Sequence, residues 1–150
     1  MKQFDHEKLE VYQHSIKFVG RLTGLVGSVK EKKQIVLLSE VLNQLDRASI
    51  SVVLNIAEGN GRRQMKQPIR FFDDARGSAT ECAACLDVLL AKGAVERNEI
   101  EEGKVLLISI VSMLSKLVQY FENKFAVGED VGEYGTSQID DISKLKDETK

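Results

Sequence analysis

Apolar residues recur at intervals of three and four through four successive stretches of the chain, the repeat of a helix that buries one face. In the first stretch Leu9, Tyr12, Ile16, Val19, Thr23 and Val26 form the leading stripe, with Phe18, Leu22, Leu25 and Val29 beside it. Asp5 stands where an N-cap is wanted, and Gly27-Ser28 with the charged run Lys30 to Lys33 reads as the exit and connection. The second stripe is Ile35, Leu38, Leu42, Leu45, Ser49, Val52 and Ile56, and its helix runs to about Glu58, where Gly59 is placed to stop it with a left-handed cap. Pro68 suits the first turn of a third helix, whose inward stripe reads Ile69, Phe72, Arg76, Ala79, Ala83, Leu86 and Leu90, with Ala75, Ser78 and Cys82 alongside. Gly93 ends it. Asn98 and Glu101 have the spacing of a capping box, and the fourth helix presents Ile100, Gly103, Leu107, Ile110, Leu114, Leu117 and Phe121.

Four amphipathic helices joined by short links predict an all-α fold, an antiparallel up-down-up-down four-helix bundle over residues 1–125. Residues 126–150 are acidic and poor in apolar side chains, so they read as a disordered C-terminal tail. Val11, Phe18, Val41, Val111 and Val118 lie outside the principal stripes, a surplus that predicts self-association.

Composition narrows the class without changing it. One proline and no tryptophan favour helices over a turn-rich sandwich. The start, Met1 to Lys8, is charged, and no uninterrupted apolar run approaches the roughly 18 residues a bilayer span needs, so a cytoplasmic protein without membrane contact is expected. Net charge is −2, but it divides: the last 25 residues hold seven acids and three lysines, leaving the body at +2. A balance that small makes the position of the bases matter more than their number.

The bases gather in one place. Arg62, Arg63, Lys66 and Arg70 lie in and just after the connection between helices 2 and 3, with Arg76 further on, where they could donate charge-assisted hydrogen bonds to phosphates. The competing reading is a solvated loop whose bases pair with local acids such as Asp73 and Asp74. Arg76 falls at a core-like position and needs a partner or an exit, because an unpaired buried guanidinium is strongly destabilising. Folding helix 3 back on helix 2 then predicts a polar set, Arg47, Asn55, Glu58, Arg76, Ser78 and Glu81, that fixes the register of the two helices.

Catalytic and metal chemistry find little support. Cys82 and Cys85 share one helical face, but His6 and His14 supply the only histidines, and a zinc site needs two further ligands. The cysteine pair lies mid-helix among alanines, away from the helix N-terminus where thiolates are activated. There is no phosphate-binding glycine loop, nucleophile elbow or pair of Glu-x-x-His motifs, so no enzyme activity and no cofactor are expected.

The segment Arg47 to Gly59 (RASISVVLNIAEG), followed by Gly61-Arg62-Arg63, resembles the signature of the four-helix-bundle family called 23S rRNA intervening-sequence proteins. Arg70-Phe71-Phe72, then Ala75-Arg76-Gly77-Ser78 and Glu81, is similar to that family's second motif, and Leu9-Glu10-Val11-Tyr12 to its opening. The resemblance covers residues 9 to 122, and Val53 stands where the family commonly has proline. It implies a bundle without known catalytic activity, often a homopentamer. The accessory variability proteins of diversity-generating retroelements, which associate with nucleic acid and a reverse transcriptase, are similar and imply an RNA, DNA or protein partner. Three functions stay open: a nucleic-acid- or ribosome-associated module working through Arg62, Arg63, Lys66 and Arg70, a scaffold or protein-interaction oligomer with an incidental basic loop, and a helical regulator of the toxin–antitoxin kind.

Overall fold

A computed structural model describes residues 1–31, 35–63 and 68–127. Lys66 and the tail from 128 to 150 lie outside the described residues. Within them every regular element is helical: a 3-10 turn at Asp5–Lys8, then α1 (Glu10–Glu31), α2 (Ile35–Gly61), α3 (Pro68–Ala91) and α4 (Arg97–Ala126). The seam between α2 and α3 is the most extensive, α4 packs on α3 and α1, α1 also packs on α2, and the 3-10 turn rests on α1 and α2. Along the main seam, Gln44, Ser51 and Gly59 of α2 meet Glu81, Ser78 and Phe72 of α3, in that order.

Periodicity identified the inward faces of α2 and α4. Leu38, Leu42, Leu45, Ser49, Val52 and Ile56 are all buried, as are all seven residues of the α4 stripe from Ile100 to Phe121. In α1 the faces exchange places. Val11, Ser15, Phe18, Leu22 and Val29 are buried, whereas Ile16 of the expected leading stripe is 46% exposed. The cause is Ser15: its hydroxyl donates to the Tyr12 carbonyl at 2.7 Å, so a polar residue enters the core already satisfied and completes a stripe that looked interrupted. In α3 the buried row is Phe72, Ala75, Ala79, Cys82, Leu86 and Leu89, one position round from the expected one, which moves Arg76 to the margin.

The apolar surplus is therefore consumed by the bundle itself. Val11, Phe18 and Val118 are core residues, and Val41 and Val111 are half-buried against the core, so these five carry no argument for self-association.

Helix boundaries depart from the sequence reading at four places. α1 begins at Glu10 behind a separate 3-10 turn that Phe4 caps, with the Phe4 N–H donating to the Glu7 carboxylate at 2.5 Å; Asp5 is the first residue inside that turn. α1 also continues past Gly27-Ser28 to Glu31. Gly59 is no terminator: α2 runs on to Gly61, and Gly59 is buried because a Cβ there would stand 2.9 Å from Cε1 of Phe72 and 3.1 Å from Cβ of Phe71. Here glycine serves close helix approach. The α4 capping box is Glu96 with Glu99, not Asn98 with Glu101; the Glu96 N–H donates to the Glu99 carboxylate at 2.6 Å. Gly93 does end α3, at φ 66°, with the Gly93 N–H donating to Leu90 and the Ala94 N–H to Leu89.

α4 is long and apolar enough to cross a membrane by length and composition, but half of its most apolar stretch is buried inside the bundle.

Candidate nucleic-acid interface

Three contacts bring the 3-10 turn, the end of α2, the start of α3 and the end of α4 together. Arg63 bonds Asp5, Phe72 lies against Gly59, and the Phe72 and Phe121 rings stack at 5.8 Å. This end of the bundle holds seven of the chain's nine Phe and Tyr residues: Phe4, Tyr12, Phe71, Phe72, Tyr120, Phe121 and Phe125. Phe72 and Phe121 fill the core, Tyr120 and Phe125 pack on Phe121, and Phe4 stands 73% exposed.

The bases read from the sequence differ sharply in setting. Arg70 is the most open, its side chain 87% exposed with Asp74 at 3.9 Å. Arg62 pairs with Glu58 at 3.1 Å and holds its guanidinium 5.3 Å from the centre of the Phe71 ring. Arg63 is 17% exposed and acts as a strut. Its Nη1 donates to the Asn60 carbonyl at 3.4 Å and to Asn60 Oδ1 at 3.3 Å, and its Nη2 donates to Asp5 Oδ2 at 3.2 Å. Its Nε is buried with no acceptor among the described residues. The hydrogen bond from Arg63, then that from Lys8, holds the Asp5 carboxyl below the usual carboxylate range.

The acids beside Arg62 and Arg70 lower the local field, yet both pairs are solvated, and exposed pairs of this kind contribute only ~0–1 kcal/mol. A phosphate can displace such a carboxylate at small cost. Lys124, 5.8 Å from the centre of the Tyr120 ring, adds a base on α4 to the same end.

The residues expected to set the register of α2 and α3 divide. Ser78 meets Ser51 across the seam at 2.9 Å, and Asn55 supports Ser51 from within α2, its Nδ2 donating to the Ser51 carbonyl at 2.9 Å and Oγ at 3.1 Å. Glu81 accepts from Gln44 of α2. Arg76 instead reaches Asp73 on its own helix and Ser115 of α4 at 3.4 Å, with its side chain 38% exposed: its stem crosses the helix surface and its charge emerges. Glu58 bonds Arg62 within α2, and Arg47 is exposed with no bond to another described residue.

Cys82 and Cys85 are free and buried. Burial pushes the Cys82 thiol up to about 12 and raises that of Cys85, the reverse of what thiolate chemistry needs. Among the described residues no group of three His, Cys, Asp or Glu side chains is placed to hold a metal ion.

Sequence reading passed over Phe4, His6, Asn60, Tyr120 and Lys124. A usable signal existed: aromatic residues concentrate near the starts of α1 and α3 and the end of α4, which folding brings to one side. For Asp5 with Arg63, 58 residues apart, the sequence held none.

Comparison with curated proteins and with solved structures finds no match. A family model described as 23S rRNA-intervening sequence protein matches residues 7–116, about three quarters of the chain, and includes all of α1 to α3. On that match, the chain belongs to the 23S rRNA-intervening sequence protein family.

Proposed function

We propose that this protein is a non-enzymatic, cytoplasmic module, an up-down-up-down bundle that self-assembles and binds RNA or DNA at the end where α2 gives way to α3. One observation carries the reading: Arg62 and Arg70 are solvent-exposed in a neighbourhood of aromatic rings. Bases that track a backbone beside rings that accept stacked nucleobases are the two parts a single-strand binder combines. The resemblance read from the sequence to the accessory proteins of diversity-generating retroelements implies the same kind of ligand and a protein partner. Arg63 is reassigned within this reading, from phosphate contact to support of the surface.

Self-assembly rests on other residues than the sequence surplus. Ile50 and Leu54 are 44% and 59% exposed four residues apart on α2, and Val105 and Ile108 are 61% and 60% exposed three apart on α4. Two different apolar strips on one subunit suit a head-to-tail ring, and the family resemblance implies five subunits. The same strips favour the second reading, an assembly scaffold with no nucleic-acid role.

Fluorescence anisotropy across a salt series, with light scattering on the same samples, separates the two. Wild-type protein is expected to bind with log K falling linearly in log salt, and the Arg62→Glu/Arg70→Glu variant to lose binding with its mass unchanged. No binding at low salt, or equal binding by the variant, leaves the scaffold.

A further inference from the structure

A cleft of about 310 Å³ opens between the 3-10 turn and the last turns of α2, at the lower limit of small-ligand sites. Phe4, Asp5 and His6 form one wall, and Asn60, Gly61 and Arg63 the other. Its chemistry is unusual for the end of a bundle. Arg63 Nε is a buried donor without an acceptor among the described residues, and such a group costs stability unless something satisfies it. Asn60 is 7% exposed; its carboxamide oxygen accepts from Arg63, while its amide nitrogen donates to no described residue. Arg63 Nε lies beneath that wall, so the donor the wall offers is the Asn60 amide, which Arg63 holds in place. On the other, Phe4 lies over His6 with ring centres 5.7 Å apart and planes 16° from parallel, and His6 in turn meets the edge of Tyr12 at 4.8 Å. Phe4 is held at the rim by backbone contacts at Glu7, yet 73% of it faces solvent.

An exposed aromatic ring stacked on a second ring buries almost nothing and contributes little to the fold. A flat platform beside an amide donor fits a flat ligand whose edge carries an acceptor. Arg62, next in sequence to two lining residues, adds a positive charge near the cleft and favours a ligand with a phosphate on its flank.

We propose that this cleft receives one unstacked base of a single-stranded nucleic acid, stacked on Phe4 and held at its edge by Asn60, which Arg63 orients. The inference rests on the nucleic-acid reading above and deepens it, from phosphate contact to base recognition. Polyanion binding by Arg62 and Arg70 alone would treat strands with and without bases alike; a base-accepting cleft distinguishes them.

The test is anisotropy with the full chain and three labelled probes of equal length: oligo-dT, a wholly abasic strand, and a duplex. Oligo-dT is expected to bind about tenfold more tightly than the abasic strand, the size of one stacked base. Phe4→Ala is expected to abolish that difference while leaving abasic binding and the thermal melting curve unchanged, since the side chain is exposed. His6→Ala, which withdraws the ring beneath Phe4, is expected to reduce it. Equal binding of abasic and base-bearing strands, or a Phe4→Ala variant that keeps the preference, overturns the cleft and leaves the phosphate reading standing. Failure of all three probes at low salt removes both.

Discussion

The two ends of the bundle are built on different terms. Where the 3-10 turn meets α2, α3 and α4, large rings interlock and the chain's start is tied to α2 by Asp5 and Arg63. Further along, α1 and α4 border a cleft of about 410 Å³ lined by Gly20, Gly24, Leu25, Ser28, Glu99 and Gly103, and a Cβ added at Gly20, Gly24 or Gly27 would touch nothing within 4 Å. The contrast shows that glycine has two opposite uses in helices of one fold. At Gly59 the missing Cβ is where a neighbour's ring goes; at Gly24 it is simply absent bulk.

That comparison breaks most visibly at Phe72. Truncation to Ala removes a side chain 2% exposed, stacked on Phe121, and is expected to lower unfolding free energy by ~3–5 kcal/mol in chemical denaturation. A smaller loss should follow Gly59→Ala. Better helix propensity returns up to ~1 kcal/mol, but the new methyl presses on Phe72 and Phe71, and overpacking costs ~1–3, so a net decrease of about 1 kcal/mol is expected from the same denaturation curves. The identical change at Gly24 should carry the opposite sign, a gain of ~0.4–1 kcal/mol, because only the unfolded chain and the helix propensity notice it. If Gly24→Ala destabilises as Gly59→Ala does, the two ends are not differently packed.

The smallest effect concerns the N-terminal tie. Because its native partners lower the Asp5 pKa, the stabilisation they supply is present above the ordinary value of 3.8 and disappears as pH falls through the lower, folded value. Protection of the Leu9 amide against hydrogen exchange, relative to the intrinsic rate at each pH, should therefore fall below pH ~4 while the α2–α3 seam stays protected; this amide donates to the His6 carbonyl. Asp5→Asn should show that loss of protection already at neutral pH. The Asp5 side chain is 45% exposed, so global stability should scarcely move.

How far the sequence reached depended on what each residue answers to. Stripes made wholly of apolar residues, as in α4, declared their inward face, because burial of such residues needs no further condition. Ser15 and Arg76 misled in opposite directions. A serine can satisfy itself against its own backbone and enter the core, while an arginine on an apolar stripe can lay its stem along the surface and leave. Gly59 was legible as important but not as to why, since cap and close contact ask for the same residue. Arg62 and Arg70 could be picked out from charge alone. The cleft beside them could not, because it needs Phe4 and His6 set against Asn60 and Arg63 across more than fifty residues, and no local pattern encodes that meeting.

Several buried or half-buried hydroxyls turn back on their own helix: Ser15 to Tyr12, Ser28 to Leu25, Ser49 to Asp46 and Ser115 to Val111. Ser15 and Ser49 stop there, and core polar groups that make no demands on the neighbouring helix place few conditions on what that neighbour carries. Sequences in such a lineage can drift widely at the helix interfaces, so long as volume is kept, without losing the fold. Where a residue in such a lineage does resist change, its cause is to be sought among the groups that reach across, such as Ser51 with Ser78, Gln44 with Glu81, His14 with Ser109, Arg76 with Ser115 and Asp5 with Arg63.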